Sequence, residues 1–201
     1  PTESVREVLP YGFIVQLREL LASGPNFKDW TLAQSMKGKI SIDGSNAGSD
    51  WFQVTADRID KNDPDCVWRV RNIERNRSQV LEMWSPVRWV AILVKLQMTA
   101  RTGQVRMADS GESDTWRFVA GRFRPNTGTL AHKDKRKSWA QGVFRRVVTL
   151  DGAETAVLYF NSNKTSDIGK DGVDKGQECP WPHLPGSSDD PYYWLEKLRQ
   201  D

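Results

Sequence analysis

The sequence predicts an α+β fold in which helices flank a small antiparallel three-stranded sheet. Three observations predict it: a nearly all-apolar helical stretch from about Pro86 to Arg101, a hairpin formed by GVFRRVVTL and ETAVLYF, and helical periodicity near both ends of the chain. A length of 201 residues is enough to bury a core, and 38% hydrophobic residues with nine Trp exclude disorder throughout. The longest apolar run, Trp89 to Leu96, is broken by Lys95. It falls far short of the roughly 18 to 20 residues of a membrane span. The chain starts at Pro1 and stops just after a helix-like stretch, so it reads as a fragment of a longer protein.

Taken in order, Val5, Val8 and Leu9 begin an amphipathic pattern that resumes beyond Pro10 with Phe13, Ile14, Leu17, Leu20 and Leu21. Pro10 either starts a second helix or kinks a single one, and Gly24-Pro25 ends the pattern. Residues 26–80 read as an irregular connection or insertion, with a strand-like GKISI and isolated anchors at Trp30, Trp51 and Trp68. Ser85-Pro86 then opens the long helix, with Ser as N-cap and Pro at the first helical position. Arg88 and Lys95 share its polar stripe. Arg101 lies about 120° from Lys95 on the helical wheel and emerges at the helix's inner end.

A short turn, Gln104 to Ala108, leads into an acidic loop holding Asp109, Glu112 and Asp114. The hairpin follows, with Asp151-Gly152 as its turn. A Gly- and Asp-rich loop comes after Lys164, then ECPWPHLP as an edge strand. Asp190-Pro191 caps a final helix, PYYWLEKLRQD.

The formal net charge of +3 is unevenly spread. From Arg69 to Arg146 there are 17 Lys/Arg against six Asp/Glu; the remaining residues hold 12 against 20. Arg88, Arg106, Arg122, Arg124, Lys133, Lys135, Arg136, Lys137, Arg145 and Arg146 lie in this tract among aromatics. That mixture suits the neutralisation of duplex phosphates. A solvated basic face is the alternative reading.

Two cysteines and two histidines (Cys66, Cys179, His132, His183) form no cluster with zinc-ligand spacing, and both thiols are expected to be reduced. Lys164-Thr165 does not make a phosphate-binding Gly-rich loop, because Leu158 and Asn163 stand where the glycines belong. The three acids of the loop could hold magnesium, although such loops more often cap backbone N–H groups.

The stretch from Val87 to Asp114, containing R-x-x-Q-V-R-x-x-D-S-G-E-x-D, together with a lysine leaving a hairpin in YFNSNKT, resembles the tyrosine recombinase (phage integrase) superfamily. Within it, the chain is most similar to the large integrase-like proteins of bacterial mobile islands. The resemblance covers residues 5–23 and 85–184. It implies that 1–201 is the N-terminal part of a recombinase catalytic domain, that Arg101 holds the scissile phosphate, and that Lys164 protonates the departing 5′ oxygen. Gln104 stands where most of the family has Glu. The H-x-x-R motif and the nucleophilic Tyr have no counterpart in these residues, so this chain alone is expected to bind DNA and cleave nothing.

The resemblance further implies double-stranded DNA as partner, a phosphotyrosine intermediate, no cofactor and no metal, and a cytoplasmic, nucleoid-associated protein. Self-association on DNA stays open. So do two other functions, a noncatalytic DNA-binding module of the same fold and a protein-interaction domain.

Overall fold

The computed structural model describes residues 10–36, 50–73, 78–98, 100–106, 108, 111–131, 143–160, 177–180, 187 and 189–200. The fold is α+β, with helices and small antiparallel sheets. The chain divides into two compact units, Pro1–Ser85 and Pro86–Asp201.

In the first unit, helix α1 (Tyr11–Leu21) begins directly after Pro10, so the proline starts a helix. The face expected to be buried is only partly so. Leu21 and Arg18 are buried, while Phe13, Leu17 and Leu20 are exposed. After a 3-10 turn at Phe27–Asp29 comes the short helix α2 (Thr31–Ser35). Asn26 and Asp29 form a capping box across that turn, and the Phe27 N–H donates to Asp65 Oδ1 at 2.8 Å.

Residues 51–84 carry three strands, β1 (Trp51–Val54), β2 (Trp68–Ile73) and β3 (Ser78–Trp84), in the order β1-β3-β2, all antiparallel. Two of these strands lie inside the stretch read from sequence as irregular. The GKISI segment falls outside the described residues. Phe27, Trp30 and Ala33 are fully buried; Trp30 packs edge-on against Phe27 at 5.3 Å and against Trp84 at 6.5 Å. Trp30 is thus a core anchor. Trp51 is half-buried and donates its indole N–H to the Gln34 carbonyl at 3.1 Å, and Trp68 lies beneath Lys61.

The second unit starts with α3 (Val87–Met98), whose first turn is closed by the Pro86 carbonyl accepting the Val90 N–H at 2.9 Å. The helix stops three residues before Arg101, and it is one-sided rather than apolar all round. Val90, Leu93, Val94 and Gln97 are buried, whereas Val87 and Ile92 are exposed. Helix α4 (Thr102–Arg106) follows at once and packs on α3.

Strands β4 (Trp116–Val119) and β5 (Arg122–Pro125) make a hairpin that the sequence reading did not anticipate. Its two-residue turn has φ of 51° at Ala120 and 74° at Gly121, the twist that matches paired strands. Strands β6 (Phe144–Val148), β7 (Glu154–Phe160) and β8 (Gln177–Pro180) form the expected three-stranded antiparallel sheet, in the order β6-β7-β8. Gly152, with φ of 83°, supplies the left-handed residue in the β6–β7 turn. The last helix, α5 (Pro191–Gln200), packs on α3 and β4, and Asp190 caps it by accepting the Tyr192 N–H at 2.9 Å.

The core of this unit gathers Phe118, Val143, Phe144, Ala156, Leu158 and Tyr192, with Met98, Phe123 and Leu195 at its edge. Tyr192 lies 5.2 Å from the Phe118 ring and 5.4 Å from that of Phe144. Both cysteines are free thiols, and burial pushes the Cys179 thiol up. Among the described residues no helix is long and apolar enough to cross a membrane.

Candidate functional site

Arg101 sits in the turn between α3 and α4, at the N-cap position of α4, and not on the end of α3. Its carbonyl accepts the Val105 N–H at 3.1 Å, and its own N–H donates to Gln104 Oε1 at 3.0 Å. Gln104 is buried at the third position of α4, so it performs the back-reaching half of a capping box. A carbonyl oxygen suffices for that task, which is why Gln serves where a Glu would. Lys95 donates to Thr102 Oγ1 at 2.7 Å, tying the last turns of α3 to the start of α4. The Arg101 side chain is exposed, and its guanidinium has no hydrogen-bond or ion-pair partner among the described residues.

Gln104→Ala is expected to destabilise the second unit by about 1 kcal/mol, the usual value of a helix cap, whereas Gln104→Glu should retain the bond. Denaturant unfolding of both variants checks this; equal stability of the alanine variant and the parent would remove the capping role.

One of the three acids of the loop, Asp114, binds backbone N–H groups. Asp114 is 2% exposed and accepts the Val143 N–H at 2.9 Å, with Phe144 N–H at 3.5 Å. Arg199 reaches back from α5 to Asp114 Oδ2 at 3.4 Å and to the Gly111 carbonyl at 2.6 Å. It also bonds Glu196 at 3.2 Å, and Glu196 in turn accepts from Arg117 of β4 at 2.6 Å. Asn126 donates to the Glu112 and Asp114 carbonyls. Asp109 lies outside the described residues. Among those described, no group of three His, Cys, Asp or Glu could hold a metal ion.

The expected phosphate-contacting residues divide into three sets. Arg88, Arg106, Arg122, Arg124 and Arg146 are exposed. Arg88 lies 5.2 Å from the Trp89 ring centroid; Arg146 lies 5.7 Å from that of Trp116 and pairs with Glu154. Arg145 is different. It is 6% exposed, with its guanidinium 4.0 Å from the centroid of Tyr159, and it faces the opposite side of the sheet from Arg146. Its guanidinium is buried within the second unit, against that ring. Lys133, Lys135, Arg136, Lys137 and Lys164 lie outside the described residues, Lys164 in the stretch joining β7 to β8.

A family model described as "Putative integrase" (Integrase_2) matches residues 1–200. The chain belongs to this integrase family. The match takes in residues 26–80, which the tyrosine recombinase resemblance did not cover. No curated protein and no solved structure matches the chain.

One tyrosine of this integrase can be set aside as a nucleophile on geometry. Tyr192 is 1% exposed and donates its hydroxyl to the Ala156 carbonyl at 2.8 Å. Burial, then the charges of Asp190 and Cys179, push its phenol far above the ordinary range. A buried neutral phenol committed to a backbone acceptor is a structural post. Sequence reasoning missed the Arg117–Glu196–Arg199–Asp114 network altogether.

Proposed function

We propose that this integrase acts as a tyrosine recombinase and that its 201 residues supply a duplex-binding surface and two of the catalytic cations. The observation that carries the reading is Arg101: an always-charged guanidinium, exposed and unpaired among the described residues, on a backbone pinned by Gln104. Charge grows on the nonbridging phosphate oxygens as a tyrosine hydroxyl attacks phosphorus, and a fixed guanidinium fork is suited to stabilise it. Lys164 is assigned the other task, giving a proton to the 5′ oxygen as its bond to phosphorus breaks. The phosphoester bond to tyrosine conserves the energy needed for rejoining. The nucleophile and the H-x-x-R motif are taken to come from the intact integrase.

The exposed arginines at 88, 106, 122, 124 and 146, together with the lysine-rich stretch 133–137, are assigned to the DNA backbone. If about six cations contact phosphate, the slope of log affinity against log salt should be near −5. Titration of a labelled duplex at several salt concentrations measures it. A flat response, or equal affinity for an acidic polymer of unrelated shape, would sink the DNA-binding reading.

A further inference from the structure

The sheet of the first unit sets two arginines on a single carboxylate. Arg69 stands directly across from Glu82 in the β2–β3 register, and Arg71 is the next residue on the same face of β2. Glu82 is buried; its Oε2 accepts from Arg69 Nε at 2.8 Å and Nη2 at 2.7 Å, and its Oε1 from Arg71 Nε at 2.5 Å. The Arg69 guanidinium also lies 4.0 Å from the centroid of the Trp51 ring, which fixes its plane. Burial raises the Glu82 carboxyl, but the hydrogen bonds from Arg69 and Arg71 outweigh it and hold the group below its ordinary range. The carboxylate is therefore ionised at neutral pH, and the cluster keeps a surplus positive charge.

The donors are in surplus too. Two guanidinium groups offer about five N–H donors each, against about four lone-pair sites on a carboxylate. Both arginine side chains are more than two-fifths exposed, at 43% and 42%. Side chains already held by a carboxylate and an indole lose little further freedom when they bind an anion. Residues 1–85 as a whole hold 11 Lys/Arg against 12 Asp/Glu. Local geometry, and not the charge of the unit, makes this spot attractive to phosphate.

We infer that Arg69 and Arg71 form a second phosphate-binding site, for the phosphodiester backbone of nucleic acid, on the sheet of the N-terminal unit. The inference rests on the DNA-binding reading above. It differs in its residues, which belong to a unit with no part in the chemistry assigned to Arg101 and Lys164.

The test is duplex binding across a salt series by the whole chain and three variants. Arg71→Gln leaves Glu82 paired with Arg69, so no buried charge is orphaned. The triple variant Arg69→Gln/Arg71→Gln/Glu82→Gln removes the cations together with their carboxylate, and Arg122→Gln/Arg124→Gln reports on the second unit. The salt slope should become shallower by about 1 for Arg71→Gln and about 2 for the triple variant. A folded Arg71→Gln protein with the parent's slope and affinity, beside a weakened Arg122→Gln/Arg124→Gln protein, overturns this inference and leaves the DNA-binding reading standing. Salt-insensitive binding by the parent overturns both. Inorganic phosphate, titrated in parallel, separates the ligand sources: weaker phosphate binding by Arg71→Gln with duplex binding unchanged would assign the site to a free anion and overturn the inference.

Discussion

Arg101→Ala is expected to lower strand cleavage by the intact integrase roughly 10²- to 10³-fold, about 3 to 4 kcal/mol, the usual loss when one preorganised donor to a developing oxyanion is removed. Stability should barely change, because the guanidinium has no partner among the described residues and the capping bond to Gln104 uses the backbone N–H. Arg101→Lys should also cleave poorly, since an ammonium is a point charge and cannot reproduce a bidentate fork. Single-turnover cleavage with thermal melts on the same samples separates the two roles. An alanine variant that unfolds, beside a lysine variant that cleaves normally, would make Arg101 a structural residue and end the catalytic assignment.

The second large effect concerns Lys164. As the general acid it should contribute roughly 10²- to 10⁴-fold to cleavage of an ordinary phosphodiester, the common range for such a group. A 5′-bridging sulfur leaves without needing a proton. Lys164→Ala should therefore be slow on the oxygen substrate and largely restored on the sulfur one. Equal losses on both substrates would remove the general-acid role while leaving open a simple electrostatic one, which the salt dependence of binding by the same variant would report.

Much of the second unit was legible because its signals are local. The β-branched and aromatic runs around Asp151-Gly152 gave the β6–β7 hairpin, and Asp190 before Pro191 gave the start of α5. The β4–β5 hairpin escaped because its turn is Ala120-Gly121, with Ala at a positive φ where Asn or Asp is the usual signal. Strands β2 and β3 of the first unit were hidden for another reason. Arg69, Arg71 and Glu82 look polar in a one-dimensional pattern, but they satisfy one another across the sheet, and Glu82 is buried as a result.

At the candidate site, the position of Arg101 was legible from its motif but its setting was not, since the sequence reading carried the helix on to Arg101 although the apolar pattern stops at Met98, where α3 ends. Arg145 is buried where the sequence reading set it among the surface cations, and alternation in FRRVV does not foretell this, since it puts Arg146 and not Arg145 on the face of the buried Phe144. The bonds from Arg117 to Glu196 and from Arg199 to Asp114 join residues 79 and 85 positions apart, and no local spacing could reveal them.

The central claim is that this integrase family member breaks DNA by transferring a phosphoryl group to tyrosine. The most direct test is to incubate the intact integrase with a labelled duplex carrying its target, in the presence of EDTA, then denature the mixture and look for DNA covalently joined to protein. The account expects an EDTA-resistant adduct that maps to a tyrosine linked to a 3′ phosphate, and that is lost in the Arg101→Ala variant. Cleavage that requires a divalent cation and leaves no covalent protein–DNA bond would contradict it.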